Sequence, residues 1–407
     1  MNVKGRSRTA MALVLAVLTV VAAACGGGKS SSPTPQAGTP GAGGTATTAA
    51  PKGTVKIGMI LAMTGAGSFY GKVMSQGAQL AVDQINAAGG AAGYKLQLVI
   101  EDHKSGNADA AVTGARKLIS QDHVAAILSS YSAPTLAVQP IAADNSMLVF
   151  NGGAVSPALL NKKNLYNTRA LGNQLAPQVL TYIFGQATGH KLATIHWNDI
   201  AGQSVQQDVK KFWEGKGGQV VDDEPYKSGT TNYSAELARI KAANPDIIGI
   251  WSWGTDVGYI VKQARQLGIN AKIVGVEWTA DDAKIAGADA QGTIVALDTF
   301  DPSLSPAAQK FADAYKAKYN EPAEFYAANY YDLVYVVKTL VEQAAKDGKD
   351  PTQPASLTGA FPQVKSFPTV YGAELKFQRD GSAVKPSAIY AVQTDGSLKK
   401  LTSAGGQ

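Results

Sequence analysis

VAAILSSYSAPTLAVQPIAADNSMLVFNGGAVSP, residues Val124 to Pro157, sets two short apolar runs on either side of a segment with helical spacing. Val124 to Leu128 has the character of a strand buried on both faces. Ser129-Ser130-Tyr131-Ser132 interrupts it, and Pro134 suits the first turn of a helix, where no N–H is needed. Leu136, Val138, Pro140 and Ile141 then recur at helical spacing as far as Asp144. Met147 to Phe150 is a second strand, ending in Asn151-Gly152-Gly153. Two strand ends and a helix start are thereby set side by side. The free N–H groups of such a start, its positive dipole end and the Ser132 hydroxyl suit a carboxylate. Gly152-Gly153 leaves room for a ligand beside the second strand. A plain strand–helix–strand unit in which Ser132 only caps its helix fits the local sequence as well.

Outward from this stretch, strands and helices alternate. On the N-terminal side, the sequence predicts a strand over Val55 to Ile60 and a loop over Leu61 to Gly71. A helix follows over Lys72 to Ala88, stopped by Gly89-Gly90. A strand over Leu96 to Ile100, ending in Glu101-Asp102, and a helix over Ala108 to Gln121 lead back to Val124. A second series begins near Gln174. Its strands are Lys191 to His196, Gln219 to Val221, Asp246 to Trp251 and Lys272 to Val276. Its helices are Ser204 to Lys216, Ser234 to Ala243 and Asp256 to Leu267. The tail adds helices over Pro306 to Tyr319 and Ala323 to Lys346. A hairpin of Ala373 to Phe377 with Ile389 to Gln393 is expected around Asp380-Gly381. The expected fold class is α/β, with two doubly wound parallel-sheet lobes. Ligands of such sheets sit beyond the strands' C-terminal ends, which here gathers Tyr70, Asp102, Ser132 and Gly153.

Composition narrows the function. Of 407 residues, 45% are hydrophobic and 17% charged, as in a globular protein with ample core. Lys4, Arg6 and Arg8 precede an apolar run, Met11 to Ala24, that is short for a membrane span. Residues 1–24 therefore read as a signal peptide. Ala22-Ala23-Ala24 leads into Cys25, the single cysteine, and resembles a bacterial lipobox, with alanine where leucine is usual. The alternative is a secretory signal with an incidental cysteine. Residues 25–53 are rich in Gly, Ser, Thr and Pro and read as a disordered tether behind a lipidated Cys25. Removal of the signal lowers the net charge from +6 to +3, with 34 Lys and Arg against 31 Asp and Glu. That is too mild to argue for nucleic acid.

Chemistry of the enzymatic kind is not written in the chain. The four histidines have no metal spacing, and Gly65-Ala66-Gly67-Ser68 lacks the lysine of a phosphate loop. No Gly-x-Ser-x-Gly turn occurs. His196, at a strand end, reads more simply as structural than as a base.

VKIGMILAMTGAGSFYGKVMSQGAQLAVDQINAAGG, LQLVIEDHKSGNADAAVTGARKLISQDHVAAIL and YSAPTLAVQPIAADNSMLVFNGGAVSP together resemble the branched-chain amino-acid-binding proteins of bacterial ABC importers, of the type I periplasmic binding-protein family. The resemblance runs from about Val55 to Leu401. It implies two lobes joined by three chain crossings, with the ligand in the cleft between them. The implied boundaries are 54–172 plus 302–383 for the N-terminal lobe and 173–301 plus 384–401 for the C-terminal lobe.

Position by position, the resemblance gives Ser132 to the ligand carboxylate and the Gly153 carbonyl to its ammonium. Val155 stands where a threonine would add a hydroxyl, and Ala201 where many members carry a tyrosine. Glu277 is implied to pair with the ammonium. Tyr70, Trp253 and Tyr326 supply aromatic walls. Trp251 and Trp253 lie two apart on one strand face, so one or both are expected to look into the cleft.

The expected protein is an extracytoplasmic, lipid-anchored receptor, a monomer without cofactor, that delivers an amino acid to ABC importer permease subunits. Two alternatives stay open. One is the same fold binding an aromatic carboxylate, amide or urea; the other is a sensor signalling to a membrane partner.

Overall fold

A computed structural model describes residues 50–298, 300–372 and 374–404. The expected signal peptide over 1–24, and Cys25 with most of the expected tether over 25–53, lie outside the described residues.

The first sheet is built from β1 (Gly53–Leu61), β2 (Tyr94–Asp102), β3 (Ala126–Ser129), β4 (Leu148–Asn151) and β5 (Leu165–Asn167), in the parallel order β2-β1-β3-β4-β5. β3 and β4 are buried at every position, the usual state of central strands covered on both faces. Helices α1 (Ser68–Ala87), α2 (Ala108–Ser120) and α3 (Ser132–Asp144) connect them. Val73, Ala78, Ala81, Val82 and Ile85 of α1 all turn inward, as their spacing predicts.

The chain then enters the second sheet through α4 (Gly172–Phe184). There follow β6 (Lys191–Trp197), α5 (Ile200–Gly215), β7 (Gln219–Tyr226), α6 (Ser234–Ala243), β8 (Ile247–Trp251), α7 (Asp256–Gln266), β9 (Lys272–Gly275), α8 (Ala280–Ala286) and β10 (Ile294–Asp298). Helices α9 (Pro306–Tyr319), α10 (Phe325–Lys346) and α11 (Pro354–Ala360) return to the first lobe, where α10 packs along α1. β11 (Ser387–Val392) and β12 (Leu398–Ala404) complete the second sheet, whose order is β12-β11-β10-β9-β8-β6-β7. The chain thus passes between the sheets after β5, after β10 and before β11. Each passage carries a buried charge: Arg169, Asp298 and Lys385.

Three expectations are corrected. β11 pairs antiparallel with β10 and β12, not with residues near Phe377. The Asp380-Gly381 turn closes only a single Phe377–Ala383 bridge, and the true hairpin turns at Asp395-Gly396. The reason is that the Ile389 run completes the second sheet, while Leu375 packs in the first lobe's core. Secondly, α1 and α5 begin about four residues early, which moves Tyr70 and Ala201 from loops into first helical turns. Thirdly, β8 ends at Trp251, so the strand alternation that would put Trp251 and Trp253 on one face stops there. Both belong to the second lobe's core, and Trp253 also lines the cleft, as expected of at least one of them.

Candidate functional site

The ends of β3 and β4 and the start of α3 form one wall of the cleft. Ser132 is the first residue of α3 and not its cap; the cap position is Tyr131, whose side chain makes no capping bond. Tyr131 sits at φ 60° and ψ 139°, a conformation that is strained for a side chain with a Cβ. Its ring meets His103 on one side and stacks on Trp197 of the other lobe at 6.2 Å. The Ser132 Oγ accepts from the backbone N–H of Ser156 at 3.2 Å and, more weakly, of Val155 at 3.4 Å. Its own proton is left to donate. The Asn151 side chain accepts from the N–H groups of Gly153 (3.0 Å) and Ala154 (2.6 Å), which fixes the turn after β4.

The opposite wall comes from β6, β8 and the start of α5. The Trp197 indole N–H donates to Asp256 at 2.8 Å, and its ring meets Trp253 edge to face at 5.4 Å. Trp253 is 4% exposed, and its indole N–H has no partner among the described residues. Asp199 caps α5, accepting from Ala201 N–H (2.9 Å) and Gly202 N–H (3.0 Å) through one oxygen. Burial pushes its carboxyl above the usual range. The lobes are tied at the rim by Ser156 and Ser204, whose hydroxyls lie 2.9 Å apart.

Between the walls lies a small cavity. It opens onto a wider depression that shares Tyr131, Trp197, Asp199 and Trp253 with it. Tyr70, Ser132, Gly153, Val155, Ala201, Trp253 and Tyr326 all line the cavity, so the structure brings together seven of the eight residues singled out in the sequence. Successive rings from Tyr326 through Tyr70 and Tyr131 meet at 71° and 77°, forming walls at steep angles to each other. Ala201 leaves its side of the cavity open. Five aromatic rings with a few convergent polar groups are the usual lining of a small-molecule site.

Glu277 is the exception. It is 0% exposed and stands behind the cavity wall, where Arg169 donates to it at 2.8 Å. The Tyr326 hydroxyl lies 3.0 Å and the Tyr70 hydroxyl 3.2 Å from its Oε1. Arg169 also donates to the Gly153 carbonyl at 3.0 Å and touches the Tyr326 hydroxyl. Burial raises the Glu277 carboxyl, and Arg169 opposes it with the strongest of the attractions that hold it ionised. The groups that the sequence assigned to a ligand's ammonium are therefore occupied by a guanidinium of the same chain.

Sequence reasoning missed Arg169, Tyr131 and Asp199. Arg169 follows β5 alone, over 100 residues from its carboxylate partner, and nothing local marks it. Asn198-Asp199 before a helix signals only a cap. Among the described residues no group of side chains is arranged to hold a metal ion, and no helix is long and apolar enough to cross a membrane.

Two α/β lobes facing each other across a small cleft cavity are the frame of a solute-binding protein. The sequence pattern of the family described as Periplasmic binding protein matches residues 54–397, and the chain belongs to that family, whose members bind substrates and are not enzymes. The chain is 27% identical over 323 residues to a Leu/Ile/Val-binding protein of Rhizobium johnstonii, covering 78% of this chain and 86% of that one. It is 28% identical over 273 residues to the Leu/Ile/Val-binding protein of Escherichia coli K12, covering 66% and 74%.

Among solved structures, it is similar to the branched-chain amino acid transporter substrate binding protein of Streptococcus pneumoniae in complex with isoleucine. The TM-score is 0.77 at 25% identity, over 86% of this chain and 99% of that one. A solute binding protein of an ABC transporter from R. palustris in complex with benzoate shares the fold, with a TM-score of 0.77 at 19% identity, over 86% and 96% of the two chains.

Proposed function

We propose that the chain is the extracytoplasmic receptor of an ABC importer and closes its two lobes around a hydrophobic amino acid, branched-chain or aromatic. The observation that carries this reading is the start of α3 opening, with the Ser132 hydroxyl, onto a cavity that five aromatic rings line. A carboxylate at that corner meets N–H donors and the positive end of the helix dipole. A hydrophobic side chain then fills the space beside Ala201 and Trp253, where buried apolar contact favours binding. The Leu/Ile/Val-binding relatives support the same ligand class. Cys25 is the proposed lipid attachment point; loss of lipid labelling in Cys25→Ser tests it.

A second reading has one specific observation in its favour. Because Arg169 already neutralises Glu277, the same cavity accommodates an amine-free carboxylate with an aromatic body. Native mass spectrometry of the purified protein, followed by thermal-shift assays with leucine, isoleucine, phenylalanine and benzoate, separates the two. Stabilisation by an amino acid and not by benzoate is expected. Stabilisation by benzoate alone would move the assignment to the second reading.

A further inference from the structure

We propose that Asp199, and not Glu277, is the carboxylate that meets the ligand's positive group; this rests on the amino-acid reading given above. Glu277 has no capacity facing the cavity. Arg169 holds one of its oxygens at 2.8 Å, and the hydroxyls of Tyr326 and Tyr70, whose rings stand between Glu277 and the cavity, take up the rest. A ligand ammonium placed there would have to displace Arg169 and leave a guanidinium buried without its counter-charge, which is costly.

Asp199 has the opposite situation. It is the one carboxylate lining the cavity among the described residues. The N–H groups of Ala201 and Gly202 both go to its Oδ1, and its Oδ2 has no partner among the described residues. It also stands across from the carboxylate corner. α3 packs against α5, and Tyr131, which precedes Ser132, stacks on Trp197 two residues before Asp199. The two ends of a zwitterion are thereby offered partners at the starts of two facing helices, one in each lobe. Trp197, Trp253 and Tyr131 line the same cavity as Asp199, and aromatic faces attract a cation. Contact with both lobes also makes the ligand favour the closed form, which is what a receptor of this kind requires.

Asp199→Asn separates the proposed role from capping, because asparagine caps a helix as well as aspartate does but carries no charge. Calorimetric titrations would compare wild type, Asp199→Asn and Glu277→Gln. The probes are phenylalanine and leucine, each set against its amine-free counterpart, 3-phenylpropanoate or 4-methylpentanoate. We expect Asp199→Asn to weaken the amino acids by roughly tenfold to a hundredfold. The amine-free acids should bind the variant unchanged or better, and the melting temperature of the empty variant should match wild type. Glu277→Gln should alter each amino acid and its counterpart alike. Unchanged amino-acid affinity in Asp199→Asn overturns the inference and leaves the receptor reading standing. So does a loss specific to the amino acids in Glu277→Gln alone. Wild type that binds only the amine-free acids overturns both.

Discussion

On the first lobe, the polar groups facing the cavity come from one contiguous stretch, Tyr131 to Val155, flanked by Tyr70 and Met74 of α1 and Tyr326 of α10. On the second lobe they are side chains from separate strand ends, Trp197, Asp199 and Trp253, with Glu277 set behind them. The first wall is fixed by local structure. Asn151 ties the Gly153 and Ala154 N–H groups, Ser156 and Val155 donate to Ser132, and His103 bonds Ser130 at 3.0 Å. The second wall keeps free capacity, in the unpaired Trp253 indole N–H and the open Asp199 oxygen. In the proposed receptor, the pre-organised wall would take the ligand's carboxylate first and the ligand would complete the unsatisfied wall on closure, so that it selects the closed state.

The largest effect is expected where the two walls are joined. Arg169→Met leaves Glu277 buried without its partner, and loss of one member of a buried pair destabilises by about 3–5 kcal/mol. Urea unfolding should show this, and Arg169→Met combined with Glu277→Gln should regain a large part of it. A double variant whose loss equals the sum of the two single losses would show that the pair does not couple the lobes.

A smaller effect concerns the support beneath the first wall. His103 is buried, its Nδ1 accepts from Gly106 N–H at 3.0 Å, and burial lowers its pKa to about 4 from an ordinary 6.5. Between those values only the unfolded chain takes up the proton. Stability therefore falls as pH drops from about 6.5 towards 4, by up to roughly 3 kcal/mol from this group. His103→Gln should show a flatter stability profile over that interval; an identical slope would mean that the imidazole takes up its proton equally in the folded state.

Ser132→Ala sharpens the comparison further. Loss of a hydroxyl bonded to a charged ligand group weakens binding by about 1.5–3 kcal/mol, or roughly ten- to a hundredfold. The empty protein should lose less stability than this, since Ser132 does not cap α3. A melting-temperature loss with unchanged affinity would make the serine a packing residue only.

The same contrast explains what the sequence made legible. The β3–α3–β4 corner is a single run of residues, so the apolar runs, the Ser132 position and the glycines show its shape without any long-range knowledge. The alternation of strands and helices is equally plain, although α4, α8, α11, β5, β10 and β12 are not legible as elements. The second wall depends on pairings distant in the chain. Arg169 meets Glu277 across 108 residues and Tyr326 across 157, and Tyr70 meets Gly254 across 184. No local pattern announces such partners, so Glu277 at a strand end looked free when it was already paired. Asp199 was hidden for the opposite reason: its role as a cap accounts for the residue so fully that the oxygen left over escapes notice.

The most direct measurement is a crystal structure of the protein grown with phenylalanine or leucine. The amino acid is expected enclosed between the lobes, with its carboxylate within hydrogen-bond distance of the Ser132 Oγ and the first N–H groups of α3, and its side chain against Ala201 and Trp253. A ligand bound outside this cavity, or one that turns its carboxylate away from α3 towards Asp199, would contradict it.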